Sequence, residues 1–321
     1  MDLQKKNTLS GSLILLLAAV IWGTAFVAQS AGGEVMGAFT FNSIRFFIGY
    51  MVLLPVIAFL KRKGFYSPMS QRKTDKKQLQ LAGLCCGTAL FVASNLQQYS
   101  FTLGSTAGNA GFLTACYIII VPVLGVFMKK KCPVNVWIGV ILAIAGLYFI
   151  CIDGEFVLQG SDVCLLLCAL CYSVHIILVD YFSQKVDSVR LSCNQFLVSA
   201  VLTTVLMITV DMKSSVSGVK EVLSSLMTIN AWNPILYAGI MSCGVAYTLQ
   251  IVGQKKVKPA LASILMSLEA VFSVIAGSIF LNEKMSGREL AGCALLFAAV
   301  ILAQMQVRTP KRFRTTEIVK S

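Results

Sequence analysis

Charge is scarce in this chain, and histidine is nearly missing. Of 321 residues only 13% are Asp, Glu, Lys or Arg, against roughly 25% in an average soluble domain. So few solvated groups cannot clothe a globular surface, which excludes an ordinary water-soluble enzyme or binding domain. Intrinsic disorder is excluded by the opposite shortage, because disordered chains are poor in apolar residues and this one is 57% hydrophobic with a mean hydropathy of +0.78. The lone histidine is His175, and no apolar run carries paired carboxylates, so clustered acid–base or metal chemistry has little to work with. No Gly-x-x-x-x-Gly-Lys-Ser/Thr run occurs either, which removes the phosphate loop of an ATP-driven pump. Nothing in the sequence calls for a cofactor.

Cysteine is nearly absent from the connections between apolar runs. Most of the eleven cysteines lie inside those runs, where they serve as small apolar packing residues. An odd count with so few in loops argues against a disulfide framework. Cys164, Cys168, Cys171 and His175 form a stripe at helical spacing. One straight helix spreads the four over about 16 Å, whereas zinc ligands lie about 2–2.3 Å from the ion, so the stripe reads as packing.

What the chain has in excess is positive charge, +13 overall. The basic residues sit in short clusters between apolar runs, such as Lys61–Lys63, Lys129–Lys131 and Lys255–Lys256. Clusters spaced in this way cannot make one basic face, so nucleic acid is not the expected partner. They read instead as a topology signal in a lipid bilayer.

A membrane helix needs roughly 20 mostly apolar residues. Residues 7–33 and 39–60 supply the first two. From 78 to 128 there is no charged residue, and as one helix this stretch would be about 76 Å long, more than twice the core thickness. It must fold back near 102–109, giving spans three and four, with Asn109 a candidate helix cap. Spans five to ten are expected near 134–152, 162–181, 191–210, 234–253, 259–281 and 287–307, with a long loop at 211–233. The expected fold is an all-α integral membrane protein of ten spans. If the N-terminus is cytoplasmic, the inward segments hold 22 Lys and Arg and the outward connections hold 4. That asymmetry favours both termini inside, and one miscounted span would have scrambled it.

The halves resemble each other. An offset of 153 matches Leu96-Gln97 with Leu249-Gln250, Ala107 with Ala260, Lys131 with Lys284 and Gly139 with Gly292; near 150, Phe46 meets Phe196. Repeats of five spans, an odd number, must enter the membrane in opposite senses. We expect inverted-topology repeats at 1–155 and 156–307, followed by a basic cytoplasmic tail at 308–321. Such repeats are the architecture of alternating access, with a site near the bilayer midplane.

The run SLEAVFSVIAGSIFLNEK from Ser267 to Lys284, the run ELAGCALLFAAVI from Glu289, and the pairs Trp22-Gly23 and Arg45-Phe46 resemble the EamA family of the drug/metabolite transporter superfamily. The resemblance covers nearly the whole chain. It implies a ten-helix transporter of metabolites, often an exporter of amino acids or similar molecules.

Polar residues inside spans are the candidate site. Glu269, near the middle of span nine, is expensive to insert and reads as a substrate-amine partner or a protonation switch. Arg45 is expected near the outer interface, where its side chain can snorkel or bind an anionic group. His175 is a second proton-coupling candidate. Asn95 and Gln98 share one face of span three with Thr88 and Phe91, and Tyr247 and Gln250 do so in span eight. These four and Trp22 are expected to line a substrate path. Function is therefore read as secondary transport, of the exporter kind, of small molecules such as amino acids across the plasma membrane, with the bilayer as the other partner. A passive channel or a membrane sensor or scaffold is the alternative. Gly83-x-x-x-Gly87 marks a close helix contact, within one chain or in a homodimer.

The orientation has a direct check. An epitope inserted after Ser214 is expected to be reached by antibody on intact cells, and one at Lys77 only after permeabilisation; the reverse pattern overturns the assignment.

Overall fold

A computed structural model of the chain describes residues 3–64, 73–105, 107–129, 132–151, 159–280 and 286–305. Among them lie fourteen α-helices. The first three are single spans: α1 (Leu3–Val35), α2 (Ala38–Arg62) and α3 (Lys73–Thr102). Span four is broken into α4 (Ala107–Ala115) and α5 (Tyr117–Phe127). Then follow α6 (Val134–Cys151), α7 (Gly160–Ser183) and α8 (Ser188–Leu206), which runs into a π-helical turn, Met207–Asp211. The connection beyond it folds as α9 (Val216–Met227). Span eight consists of α10 (Ile229–Leu236), a π-helical stretch (Tyr237–Tyr247) and α11 (Thr248–Gln254). Span nine is also broken, into α12 (Pro259–Met266) and α13 (Glu269–Phe280), and α14 (Gly287–Gln304) is span ten.

These elements are helical because lipid offers no partner to an unpaired backbone group, so each span must satisfy its own. Among the described residues nine helices are long and apolar enough to cross a membrane, and Val134–Phe149 in span five is a shorter apolar helix. The ends carry local stop signals. Lys61 and Arg62 occupy the last turn of α2, where cations suit the helix dipole. Asp187 caps α8 by accepting from the Arg190 N–H at 2.9 Å. Ser286 and Glu289 form a reciprocal capping box on α14.

Two expectations differ from the structure here. The stretch expected as a loop at 211–233 contains α9 and the start of α10, because a 12-residue amphipathic helix is too short to register as a span. α4 begins at Ala107, so Asn109 lies in its first turn rather than at its cap. The basic tail and the repeat boundary near 155 lie outside the described residues.

The packing is paired as two inverted repeats require. Spans two and seven (α2 with α8) pack on each other, as do spans five and ten (α6 with α14), each span against its own counterpart. Every major cross-contact has its mirror: α3 with α7 and α1 with span eight; α3 with α8 and α2 with span eight; α1 with α13 and α7 with α5. The two breaks also correspond. Cys116, between α4 and α5, is 153 residues before Glu269, which opens α13.

Close approach of helices depends on missing side chains. At Gly83 and Gly87 of α3, an added Cβ would fall 2.6 Å from the Asn194 Cβ and 2.7 Å from the Val198 Cβ, both on α8. The Gly83-x-x-x-Gly87 contact is thus internal to the chain. Gly87→Leu is expected to destabilise the protein in detergent by about 1–3 kcal/mol through overpacking. Gly125→Ala, where nothing lies within 4 Å, should not lower the melting temperature, since alanine suits a helix better than glycine.

Candidate functional site

Between the repeats lies a small cavity of about 40 Å³. It is walled by Trp22, Phe26 and Gln29 of α1, Arg45 of α2, Gln97 of α3, Thr114 of α4 and Tyr117 of α5. The second repeat supplies Tyr172 and Ile176 of α7, Ser242, Tyr247 and Gln250 of span eight, Met266 of α12 and Glu269 of α13. Much of the wall is built from equivalent positions. Gln97 and Gln250 correspond at the 153 offset, and Trp22 with Tyr172 and Phe26 with Ile176 at 150.

The charged residues break that symmetry. Arg45 corresponds to Gln195 and Glu269 to Cys116, so each charge faces the cavity from a position whose counterpart is neutral. The first repeat contributes the cation and the second the anion.

Each charge is held by neighbours. Arg45 is 2% exposed and donates from Nη1 to Gln29 Oε1 at 2.8 Å. Its guanidinium lies over the rings of Phe41 and Phe46, with centroids 5.7 and 5.2 Å away. Its Nε has no partner. The carboxylate of Glu269 accepts from the Tyr117 hydroxyl at 3.0 Å. Glu269 and Tyr117 are the first residues of α13 and α5, so the two broken spans meet across the cavity through this bond.

An aromatic wall joins the two ends. The Tyr247 ring meets Trp22 edge-on at 4.8 Å and packs against Phe196 at 5.7 Å. Its hydroxyl lies 3.0 Å from that of Tyr172, which lies 3.0 Å from Ser94 Oγ. Two further buried polar atoms on the wall, Trp22 Nε1 and Gln250 Oε1, have no hydrogen-bond partner. Leaving such groups unmet costs roughly 1–3 kcal/mol each, which a ligand or water bonded to them would recover. The arrangement offers donors to an anionic group at Arg45 and Trp22, acceptors to a cationic group at Glu269 and Gln250, and aromatic faces for an apolar body. Among the described residues no group of three His, Cys, Asp or Glu is placed to hold a metal ion.

Of the residues singled out from the sequence, the structure brings Trp22, Arg45, Tyr247, Gln250 and Glu269 to one cavity. Arg45 does not snorkel to the outer interface. It turns inward because Gln29 and two aromatic rings receive it there. Asn95 and Gln98 are not on the wall. Asn95 accepts from Asn42 Nδ2 at 3.0 Å and donates to Thr203 Oγ1 at 2.9 Å, tying spans two, three and seven. Gln98 donates to the Gln29 backbone carbonyl at 3.0 Å. His175 is fully buried behind Tyr247, with Nε2 3.1 Å from Gln195 Oε1, and does not line the cavity. Gln97 and Tyr117 do line it and were missed. The repeat offset had already paired Gln97 with Gln250, and that was the signal that could have found it.

Fold and cavity together define a polytopic membrane protein of two inverted five-span repeats around a central site. The family model described as the EamA-like transporter family matches residues 9–152 and again 160–305. The chain belongs to that family. Its relatives include an uncharacterized transporter of Archaeoglobus fulgidus, 27% identical over 93% of this chain and 87% of the relative. The threonine/homoserine exporter RhtA of Escherichia coli is 22% identical over 95% of each. A solved crystal structure superposes with a TM-score of 0.72 at 19% identity, covering 92% of this chain and 96% of that one. The last is a likeness of fold.

The division between wall and scaffold is testable by melting. Asn95→Ala is expected to lower stability by about 1–3 kcal/mol by leaving partners on two spans unmet. Gln250→Ala, which removes an atom with no partner, is expected to stay near wild type. The opposite ranking would contradict the division.

Proposed function

We propose that the protein is a secondary carrier for small zwitterionic metabolites, amino acids or close relatives, working by alternating access and exporting them across the plasma membrane. The observation that carries this reading is the pair of opposite charges, Arg45 and Glu269, on one cavity between mirrored halves. An α-amino acid presents a carboxylate and an ammonium group to match them, and its side chain would lie against the wall of Trp22, Phe26, Tyr172 and Tyr247. The relative RhtA, a threonine/homoserine exporter, agrees with a substrate of this class. Export is inferred from that likeness alone.

Glu269 is the natural point of coupling. Its carboxylate can hold either the Tyr117 hydroxyl or a substrate ammonium group, and that exchange would release α5 from α13. A proton taken up by Glu269 would compete with the same ammonium, so proton and substrate would alternate on one group. His175, off the cavity and bonded to Gln195, is the weaker candidate. The two glutamines, Gln97 and Gln250, line the path from opposite repeats and keep it polar in either orientation of the halves.

Glu269→Gln, assayed with purified protein in liposomes, is expected to slow amino-acid transport about tenfold to a hundredfold, the worth of a hydrogen bond to a charged group, and to flatten its pH dependence. Unchanged rate and pH profile would overturn the assignment of Glu269.

A further inference from the structure

One surface helix has a face that transport leaves unused. α9 joins spans seven and eight, and its residues advance about 100° each around the axis. Three arcs result. Gly218, Val222, Ser225 and Leu226 turn toward the protein, buried or half-buried. Ser217, Lys220, Glu221 and Ser224 form an exposed polar arc. Between them Val216, Val219, Leu223 and Met227 form an apolar arc that is also exposed, from 40% at Val219 to 84% at Met227.

A helix at a protein–water boundary needs only the first two arcs. The third needs an apolar neighbour, and its surroundings indicate which one. Ile208 and Val210, closing span seven, and Leu236 and Ile240, in span eight, are exposed, and in membrane spans such positions face lipid. Along the chain the apolar arc of α9 lies between those two lipid-facing strips. Trp232 stands at the same junction, 40% exposed, its Nε1 donating to the Leu226 carbonyl at 2.9 Å. A ring with an apolar body and a satisfied polar edge is typical of the boundary between acyl chains and headgroups. Another protein surface is a poorer fit, since four side chains on three turns fall short of the roughly 800 Å² per partner in a stable interface.

We propose that α9 is an in-plane interfacial helix, its apolar arc seated in the acyl–headgroup boundary of the leaflet on its side and its polar arc in water. Through Leu226 it rests on the cluster that holds Met36, Phe41, Ala231 and Ile235. Just before α9, Asp211 accepts from both the N–H and the hydroxyl of Thr40, at 2.6 and 2.7 Å. The helix thereby fixes the ends of α1 and α2 at a set depth in the membrane.

The test places an environment-sensitive fluorescent amino acid at position 223, 227, 220 or 224 of the full chain in phosphatidylcholine nanodiscs. At 223 and 227 the expected result is blue-shifted emission, quenched by nitroxide-labelled lipid and not by aqueous iodide. At 220 and 224 iodide should quench and the lipid should not. Iodide reaching all four positions alike would overturn the proposal, because the helix would then stand in water. So would protection of 223 and 227 from both quenchers, which would mean a second copy or another protein covers the arc.

Discussion

Lipid provides no hydrogen-bonding partner, so a chain that breaks its backbone ladder inside a membrane must do so against protein or a polar cavity. This constraint organises the molecule. Among the described residues spans four and nine each pause at a turn, span eight winds through a π-helical stretch, and all three irregular segments adjoin the same central cavity. The correspondence of spans four and nine across the repeat puts Tyr117 and Glu269 at the heads of two half-helices that meet there. Continuous spans surround them, closed in by small-residue contacts such as Gly83 and Gly87 against α8.

Symmetry supplies the scaffold, and departures from it supply the chemistry. Equivalent glutamines and aromatic residues face each other across the cavity, as expected when one five-span unit is duplicated and inverted. The two charges have no charged counterparts. Arg45 and Glu269 therefore give the cavity a direction that neither repeat has alone, cationic on the side of the first repeat and anionic on the second. A ligand with one group of each sign is the simplest occupant of such a space.

Most of the fold was legible in the sequence because hydropathy and basic clusters report on the bilayer, not on details of packing. Span number needed only that information, and the repeat added residue identities at a common offset. The site was partly legible. A helical period identifies which residues share a face, but not which neighbour that face meets. Asn95 and Gln98 lie on one face of α3, which meets other helices. Gln97, about 100° around the axis, meets the cavity. Arg45 was misplaced for a related reason: distance along a helix gives depth, while the partners that draw a guanidinium inward come from other spans. The helix breaks left no sequence signal of their own, since neither Cys116 nor Ser267-Leu268 contains a proline or glycine.

The central claim is that mirrored halves enclose one crevice open to a single side at a time. Counterflow tests it most directly: liposomes holding the purified protein, preloaded in turn with each of the common L-amino acids, receive a trace of the same labelled compound outside. For at least one of them the label should rise transiently above its equilibrium level and saturate with concentration, as exchange through a carrier requires. Flux that grows linearly with concentration and never overshoots would contradict the account and mark an open channel instead.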